Sequence, residues 1–174
     1  MANRESRTPA MVILIVVALA TIAFIITNSL QTSEGSWSVS NTVAALFEPV
    51  LQQIYAAVGS VMSWMGLPVL SFGVFVRKFA HFCEYFLLGV ECAALTAAFT
   101  GRAASPYVWA DLFIVLAVAV VDEFVQSVVG RTSLITDVLL DFSGAAIGIA
   151  VTLIIASFIF RRKRRGKHMR TAHR

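Results

Sequence analysis

The sequence predicts an all-α integral membrane protein, a bundle of four transmembrane helices with one or two interfacial helices between the first and the second. Of its 174 residues 58% are hydrophobic and 14% charged, and its mean hydropathy is +0.80. These values are too apolar for a soluble domain of this length, and apolar runs long enough to cross a bilayer recur along the chain. We expect one membrane domain at residues 1–160 and a basic tail at 161–174.

The first predicted span covers residues 9–28. It follows Arg4 and Arg7 and ends in a polar group that includes Asn28 and Ser29. A signal peptide also begins with a basic region and an apolar core, but this core is long and no small-x-small cleavage pattern follows it. The pattern therefore favours a retained helix.

The next segment does not have the pattern of a span. Residues 31–41 are rich in Ser, Thr and Gly, which predicts a loop. Residues 42–65 are apolar at helical spacing but are interrupted by polar residues and Pro49. This pattern indicates one or two helices along the membrane interface, with Trp64 as an interfacial anchor.

Three further spans are predicted at residues 75–99, 107–129 and 137–160, and a short turn at 101–106 joins the first two of them. Both cysteines, Cys83 and Cys92, lie nine residues apart in one predicted helix and cannot form a disulfide with each other.

The basic residues predict the orientation. Eight of the fourteen Lys and Arg residues lie in the tail at 161–174. With four spans and a cytoplasmic amino terminus, eleven basic residues are cytoplasmic and three, Arg77, Lys78 and Arg131, are external, in agreement with the positive-inside rule. Both termini are then cytoplasmic in a multi-pass protein of the cell membrane. The basic residues are gathered in the tail at 161–174, beside anionic membrane lipid, and are not spread over a folded surface. Nucleic acid is therefore not an expected partner.

This topology places the start of span two, the end of span three and the start of span four at the outer face. An ionisable side chain in a span costs roughly 2.5–3.5 kcal/mol, so it usually has a partner or a function. We therefore expect one polar cluster, which Asn28 and Ser29 can join. Its members are Arg77, Lys78, His81, Glu84, Asp122, Glu123, Gln126, Arg131, Asp137 and Asp141.

Helical spacing adds detail around this cluster. Asp122 and Gln126 share a face, and Glu123 is rotated away by about 100°. Below Asp137 and Asp141, Gly144 and Gly148 would let another helix approach closely. Outside the cluster, Glu91 is expected to hydrogen-bond a neighbouring helix and Asp111 to be an interfacial charge.

Several motifs carry a family resemblance. Arg77-Lys-Phe-Ala-His-Phe-Cys-Glu-Tyr-Phe-Leu-Leu-Gly89, Asp122-Glu-Phe-Val-Gln126, Gly130-Arg131 and Asp137-Val-Leu-Leu-Asp-Phe-Ser-Gly-Ala-Ala-Ile-Gly148 resemble the motifs of the VanZ-like membrane family. They follow the same order and cover nearly the whole chain except the tail. The resemblance implies a small multispanning protein of the bacterial envelope, in a family whose founding member is linked to low-level teicoplanin resistance.

Three interpretations of the cluster stay open. In the first, it binds a headgroup of a membrane lipid or cell-wall precursor lipid, since Arg offers a bidentate fork to phosphate or carboxylate, and so modulates susceptibility to a glycopeptide. In the second, it is a membrane-embedded enzyme acting on a lipid headgroup, with His81 or Glu84 as general base or with a divalent metal. Mg²⁺, Mn²⁺ or Ca²⁺ would suit the metal candidates His81, Glu84, Asp122, Asp137 and Asp141.

In the third interpretation the charges only pair with one another and hold the helices in register. Arg77 or Lys78 would then pair with Asp122, and Arg131 with Asp137 or Asp141. The sequence does not choose between the three, and it does not indicate the oligomeric state.

Overall fold

The computed structural model describes residues 8–31, 33–103, 105–131 and 134–171, with the side chains of 33–44 and 161–171 excepted. The described residues form five helices and no strand, which confirms the all-α prediction. Arg4, Arg7 and the side chains of the basic tail, which enter the predicted orientation, lie outside the described residues. The helices are α1 (Thr8–Ser29), α2 (Ser33–Trp64), α3 (Phe72–Thr100), α4 (Val108–Val128) and α5 (Ile135–Thr171).

Three stretches of helix are long and apolar enough to cross a membrane: Thr8–Ser29, Phe72–Thr100 and Ile135–Phe160. They coincide with three of the four predicted spans. The remaining one, α4, has 21 residues, so its length of roughly 30 Å would also cross the hydrocarbon core, but it contains three carboxylic acids. A fourth span therefore stays a prediction.

The α2 helix differs from the expectation. It begins at Ser33, so the predicted loop at 31–41 is wrong over nearly all of its length. The helix is kinked at Phe47 (φ −118°, ψ 15°), two residues before Pro49. Proline lacks the amide hydrogen and its ring clashes with the carbonyl four residues earlier, which accounts for the bend. Residues 42–65 thus belong to one kinked helix, and its interfacial position stays a prediction.

The α3 and α5 helices pack closely along their length. A Cβ atom built on Gly144 would lie 2.5 Å from the carbonyl oxygen of Phe82, and one on Gly148 would overlap the carbonyl oxygen of Phe86. Since no side chain fits in these places, glycine is required for the observed approach. The predicted close contact of another helix with the glycine face of the last span is confirmed.

The bundle has its apolar core among α1, α3, α4 and α5. Ile25, Tyr85, Leu88 and Val115 are fully buried there. A second, smaller cluster joins α2 to the start of α3, where Leu51 packs with two α3 residues. Because α1 and α4 end where α3 and α5 begin, four helix termini meet at one end of the bundle.

Candidate functional site: a buried charged cluster at one end of the bundle

The polar residues predicted to meet lie together at this end, around a cleft between α3, α4 and α5. The cleft is narrow: its cavity volume is about 10 Å³, room for about one water molecule. Its lining residues are Arg77, Lys78, His81, Glu123, Gln126, Arg131, Asp137, Leu140 and Asp141. The remaining two predicted residues, Glu84 and Asp122, lie next to His81. The structure thus brings all ten into one cluster, hereafter the charged cluster.

Asp122 is the most buried carboxylate of the charged cluster, with no exposed surface. Its Oδ1 accepts a hydrogen bond from the hydroxyl of Ser29, the last residue of α1. Its Oδ2 accepts one from Gln126 Nε2, one turn further along α4, at 3.3 Å. Two polar groups therefore replace the water that a buried carboxylate loses, and one of them connects α1 to α4.

His81 stands between two carboxylates. Its Nδ1 lies 3.7 Å from Glu84 Oε2 and 3.9 Å from Asp122 Oδ2, both beyond hydrogen-bonding distance. The other oxygen of Glu84 accepts a hydrogen bond from Asn28 Nδ2 at 3.2 Å. His81 Nδ1 and Glu84 Oε2 are buried and have no hydrogen-bond partner among the described residues. The expected participation of Asn28 and Ser29 is confirmed.

Lys78 forms an ion pair with Asp137, which joins the start of α3 to the first turn of α5. The side chains are 24% and 20% exposed. Of the two residues expected to pair with Asp122, Arg77 or Lys78, Lys78 pairs with Asp137 instead. The first turn of α5 also favours the anion at Asp137 through the helix dipole.

Glu123 lines the same cleft as Gln126, although helical spacing rotates it away from Asp122. It is 5% exposed, and its Oε1 accepts a hydrogen bond from the backbone amide of Leu134 at 2.6 Å. This bond fixes the segment leading into α5. The second oxygen, Oε2, is buried without a hydrogen-bond partner among the described residues.

Arg131 is positioned by the turn that ends α4. The amide of Arg131 donates to Gln126 O at 3.0 Å and that of Gly130 to Ser127 O at 3.2 Å, the pair of bonds that defines a Schellman motif. Gly130 takes the left-handed conformation that the motif requires, with φ 77°.

The guanidinium of Arg131 is drawn into the cleft, so that the residue is only 8% exposed. Burial lowers the pKa of Arg131, and Arg77 acts in the same direction, but an arginine side chain stays a cation in proteins. No hydrogen bond or ion pair joins this guanidinium to another described residue. The predicted pairing of Arg131 with Asp137 or Asp141 is not found.

Three of the five candidate metal ligands come close to one another. His81, Asp122 and Asp141 each offer one ligand atom, and these atoms lie within 4.8 Å of one another. Asp141 is 2% exposed and lines the cleft, and its carboxylate makes no hydrogen bond or ion pair with a described residue. The other two candidates, Asp137 and Glu84, are held by Lys78 and Asn28.

These positions are those of the motifs quoted above, now seen to meet in space. Residues 12–157, most of the chain, match the family described as VanZ/LLP1. The chain belongs to the VanZ/LLP1 family. No curated protein and no solved structure matches it significantly.

One member of the site in this VanZ/LLP1 protein was not predicted from the sequence. Tyr85 has no exposed surface, and its hydroxyl lies close to the carboxyl groups of Asp122 and Asp141. Its position four residues after His81 places the two side chains on one face of α3, and this spacing could have revealed it. Tyr85 also packs in the apolar core, so this side chain borders both the core and the charged cluster.

Beside the cluster, α2 and α3 line an open apolar groove of about 400 Å³. Glu84 is at one side of this groove and also contacts His81, so the groove borders the charged cluster. Its lining residues are Phe47, Val50, Leu51, Ile54, Val76, Phe79, Ala80, Cys83 and Glu84. We call it the α2–α3 groove.

Two other carboxylates of the VanZ/LLP1 protein lie away from this end. Glu91 accepts a hydrogen bond from Thr21 of α1 at 2.9 Å, which confirms the expected bond to a neighbouring helix. Asp111, expected as an interfacial charge, is only 5% exposed and accepts a hydrogen bond from Thr96 of α3 at 2.8 Å. Each of these two hydrogen bonds joins two helices, and neither Glu91 nor Asp111 belongs to the charged cluster.

Proposed function

We propose that this VanZ/LLP1 protein crosses the cell membrane four times, through α1, α3, α4 and α5, and binds the anionic headgroup of an envelope lipid at its charged cluster. The cluster opens at the outer leaflet, and both termini are cytoplasmic. The distribution of Lys and Arg supports this orientation, since only Arg77, Lys78 and Arg131 fall on the outer side.

The observation that carries the proposal is the position of a charged cleft, lined by three cations and three carboxylates, directly beside an apolar groove. Arg77, Lys78 and Arg131 line the cleft, and the α2–α3 groove meets the same cluster at Glu84. An amphiphile needs both surfaces: a polar contact for its headgroup and an apolar one for its chain. A small soluble anion has no hydrocarbon chain and would not contact the groove.

Arg131 is the residue most suited to hold the headgroup. Its guanidinium is buried in the cleft without an ion-pair partner among the described residues, whereas the ammonium of Lys78 is paired with Asp137. A planar guanidinium presents two parallel N–H groups to the oxygens of a phosphate or carboxylate. A lipid phosphate at this place would accept hydrogen bonds that no described residue accepts from this guanidinium.

The α2–α3 groove is suited to the hydrocarbon chain. Eight of its nine lining residues are apolar, and four of them come from the kinked part of α2. The kink at Phe47 turns this part of α2 along α3, so the groove depends on Pro49. Holding a cell-wall precursor lipid here would alter the access of a lipophilic glycopeptide such as teicoplanin to its target.

Native mass spectrometry of the full-length protein in mild detergent tests the proposal. We expect phosphatidylglycerol or a polyprenyl phosphate to remain bound, and phosphatidylcholine to be bound at least tenfold more weakly. Arg131→Gln should abolish this preference. The matched control is Arg102→Gln, an exposed cation beyond the far end of α3 that leaves the preference unchanged. Equal binding of all these lipids by the wild-type protein would contradict the proposal.

A second variant tests the groove separately. Ala80 is exposed and lines the groove, so Ala80→Phe fills it without disturbing the core. This variant should lose long-chain lipid but keep a short-chain phosphatidylglycerol of six-carbon chains. Unchanged binding of the long-chain lipid would show that the chain lies elsewhere. In cells, expression of wild-type protein should raise the inhibitory concentration of teicoplanin, and expression of Arg131→Gln should not.

A further inference from the structure

We infer that His81, Asp122 and Asp141 bind a divalent metal ion. The inference stands on the geometry and charge of these side chains and does not require a lipid ligand. It assigns the carboxylates of the charged cluster a role that the proposed headgroup contact, made by cations, leaves open.

The distances around His81 suit a shared ion. Its Nδ1 is 3.9 Å from Asp122 Oδ2, too far for a hydrogen bond. Two atoms that each lie about 2.0–2.3 Å from one metal ion are separated by no more than about 4.0–4.6 Å. The ligand atoms of all three residues lie within 4.8 Å of one another, so a small side-chain adjustment closes them around one ion.

Unpartnered groups point into the same place. Asp141 is 2% exposed, faces the cleft and has no hydrogen bond or ion pair with a described residue. His81 Nδ1 and Glu84 Oε2 are also buried without a hydrogen-bond partner among the described residues. Buried polar atoms in folded proteins are nearly always bonded, and a metal ion would satisfy these at once.

The charge balance points the same way. Five carboxylic acids, Glu84, Asp122, Glu123, Asp137 and Asp141, share the cluster with the three cationic side chains Arg77, Lys78 and Arg131. The carboxylates remain in excess even with a protonated His81. A buried carboxylate is stable only when it is paired, protonated or bound to a metal ion, and a divalent cation would hold several of these groups in the ionised form at once.

The ligand types favour a hard or borderline ion. Two carboxylates and one imidazole, with Glu84 adjacent, form an oxygen-rich set that suits Mg²⁺ or Mn²⁺ better than a structural zinc ion. Such an ion would also attract the oxygens of an anionic group in the cleft.

Mn²⁺ is the probe for the test, with full-length protein purified in detergent without a histidine tag. An electron paramagnetic resonance titration should show one bound Mn²⁺ per chain. Electron spin echo modulation should show coupling to an imidazole nitrogen, lost in His81→Gln and retained when the tail histidines are replaced together, by His168→Gln and His173→Gln. Absence of bound Mn²⁺ at about 1 mM, the weakest range of functional protein sites, or a bound ion without nitrogen coupling, would overturn the inference.

Variants then locate the ion and separate it from the lipid proposal. Asp141→Asn should weaken Mn²⁺ binding at least tenfold, whereas Asp111→Asn, another buried acid on a bundle helix, should not. Arg131→Gln should retain Mn²⁺ while it loses the preference for anionic lipid. Mn²⁺ binding that persists in folded His81→Gln and Asp141→Asn would overturn the inference and leave the lipid proposal untouched.

Discussion

Ser29, the last residue of α1, donates a hydrogen bond from its hydroxyl to the buried carboxylate of Asp122 on α4, 93 residues further along the chain. Both side chains have no exposed surface. The bond therefore joins a helix end to the centre of the charged cluster, in a place where water does not reach either group. Loss of this bond should lower the stability of the fold and shift the carboxylate of Asp122.

Replacing Ser29 by alanine should lower the free energy of unfolding by about 1–3 kcal/mol, because the buried carboxylate loses a partner that nothing else replaces. Thermal unfolding in detergent, followed by tryptophan fluorescence, measures the effect. Thr27→Ala is the matched control. The hydroxyl of Thr27 is exposed and bonds only to Ala23 O in its own helix, so this change should alter stability by no more than about 0.5 kcal/mol. Equal losses in the two variants would contradict the assignment.

The Lys78–Asp137 ion pair predicts a measurable coupling between α3 and α5. In a double-mutant cycle with Lys78→Met and Asp137→Asn, we expect a coupling on the order of 1 kcal/mol. The value stays small because both side chains are partly exposed and water screens the pair. The exchanged pair Lys78→Asp with Asp137→Lys should recover part of the loss of either single change. Strictly additive effects would show that the two charges act independently.

The meeting of polar residues at one end of the bundle could be predicted from the sequence, whereas their pairing could not. Positive-inside counting and the alternating direction of the spans place Arg77, Asp122 and Asp137 at one depth. Which of them touch depends on the rotation of each helix about its axis relative to its neighbours. Helical spacing does not supply that rotation, so of the two expected partners of Asp122, Arg77 or Lys78, the sequence could not foresee that Lys78 pairs with Asp137.

The start of α2 was missed for a different reason. Residues 33–41 contain four serines and a glycine, which have low helix propensity, yet they are helical. Propensity is a weak guide that surrounding structure overrides. By contrast, the glycines of α5 were interpreted correctly, because a residue without a side chain has few uses inside a helix other than close approach.

Two glycines should therefore respond to alanine with opposite signs. Gly148→Ala should destabilise the protein by about 1–3 kcal/mol or more, because the new methyl group overlaps backbone of α3. Gly59→Ala lies within α2 and has space, with the nearest atom of another residue, Val69 Cγ1, at 3.4 Å. It should stabilise the protein by about 0.5–1 kcal/mol through higher helix propensity. Unfolding measurements that gave the same sign for both would argue against the close α3–α5 packing.

The two Schellman glycines offer the sharpest separation of folding from binding. Gly66 follows α2 in the same motif, since its amide donates to Ser63 O and that of Leu67 to Met62 O. Both glycines have positive φ, and a methyl group added to either would meet no atom within 4 Å. Alanine at either position should therefore cost roughly 1 kcal/mol of backbone strain and nothing in packing. Only Gly130 precedes Arg131, whose amide closes the motif on Gln126.

Gly130→Ala should therefore weaken anionic lipid binding several-fold in native mass spectrometry, and Gly66→Ala should leave it unchanged. Because the two variants lose the same stability, a difference in lipid binding can only come from the displaced guanidinium, and equal binding would remove Arg131 from the site.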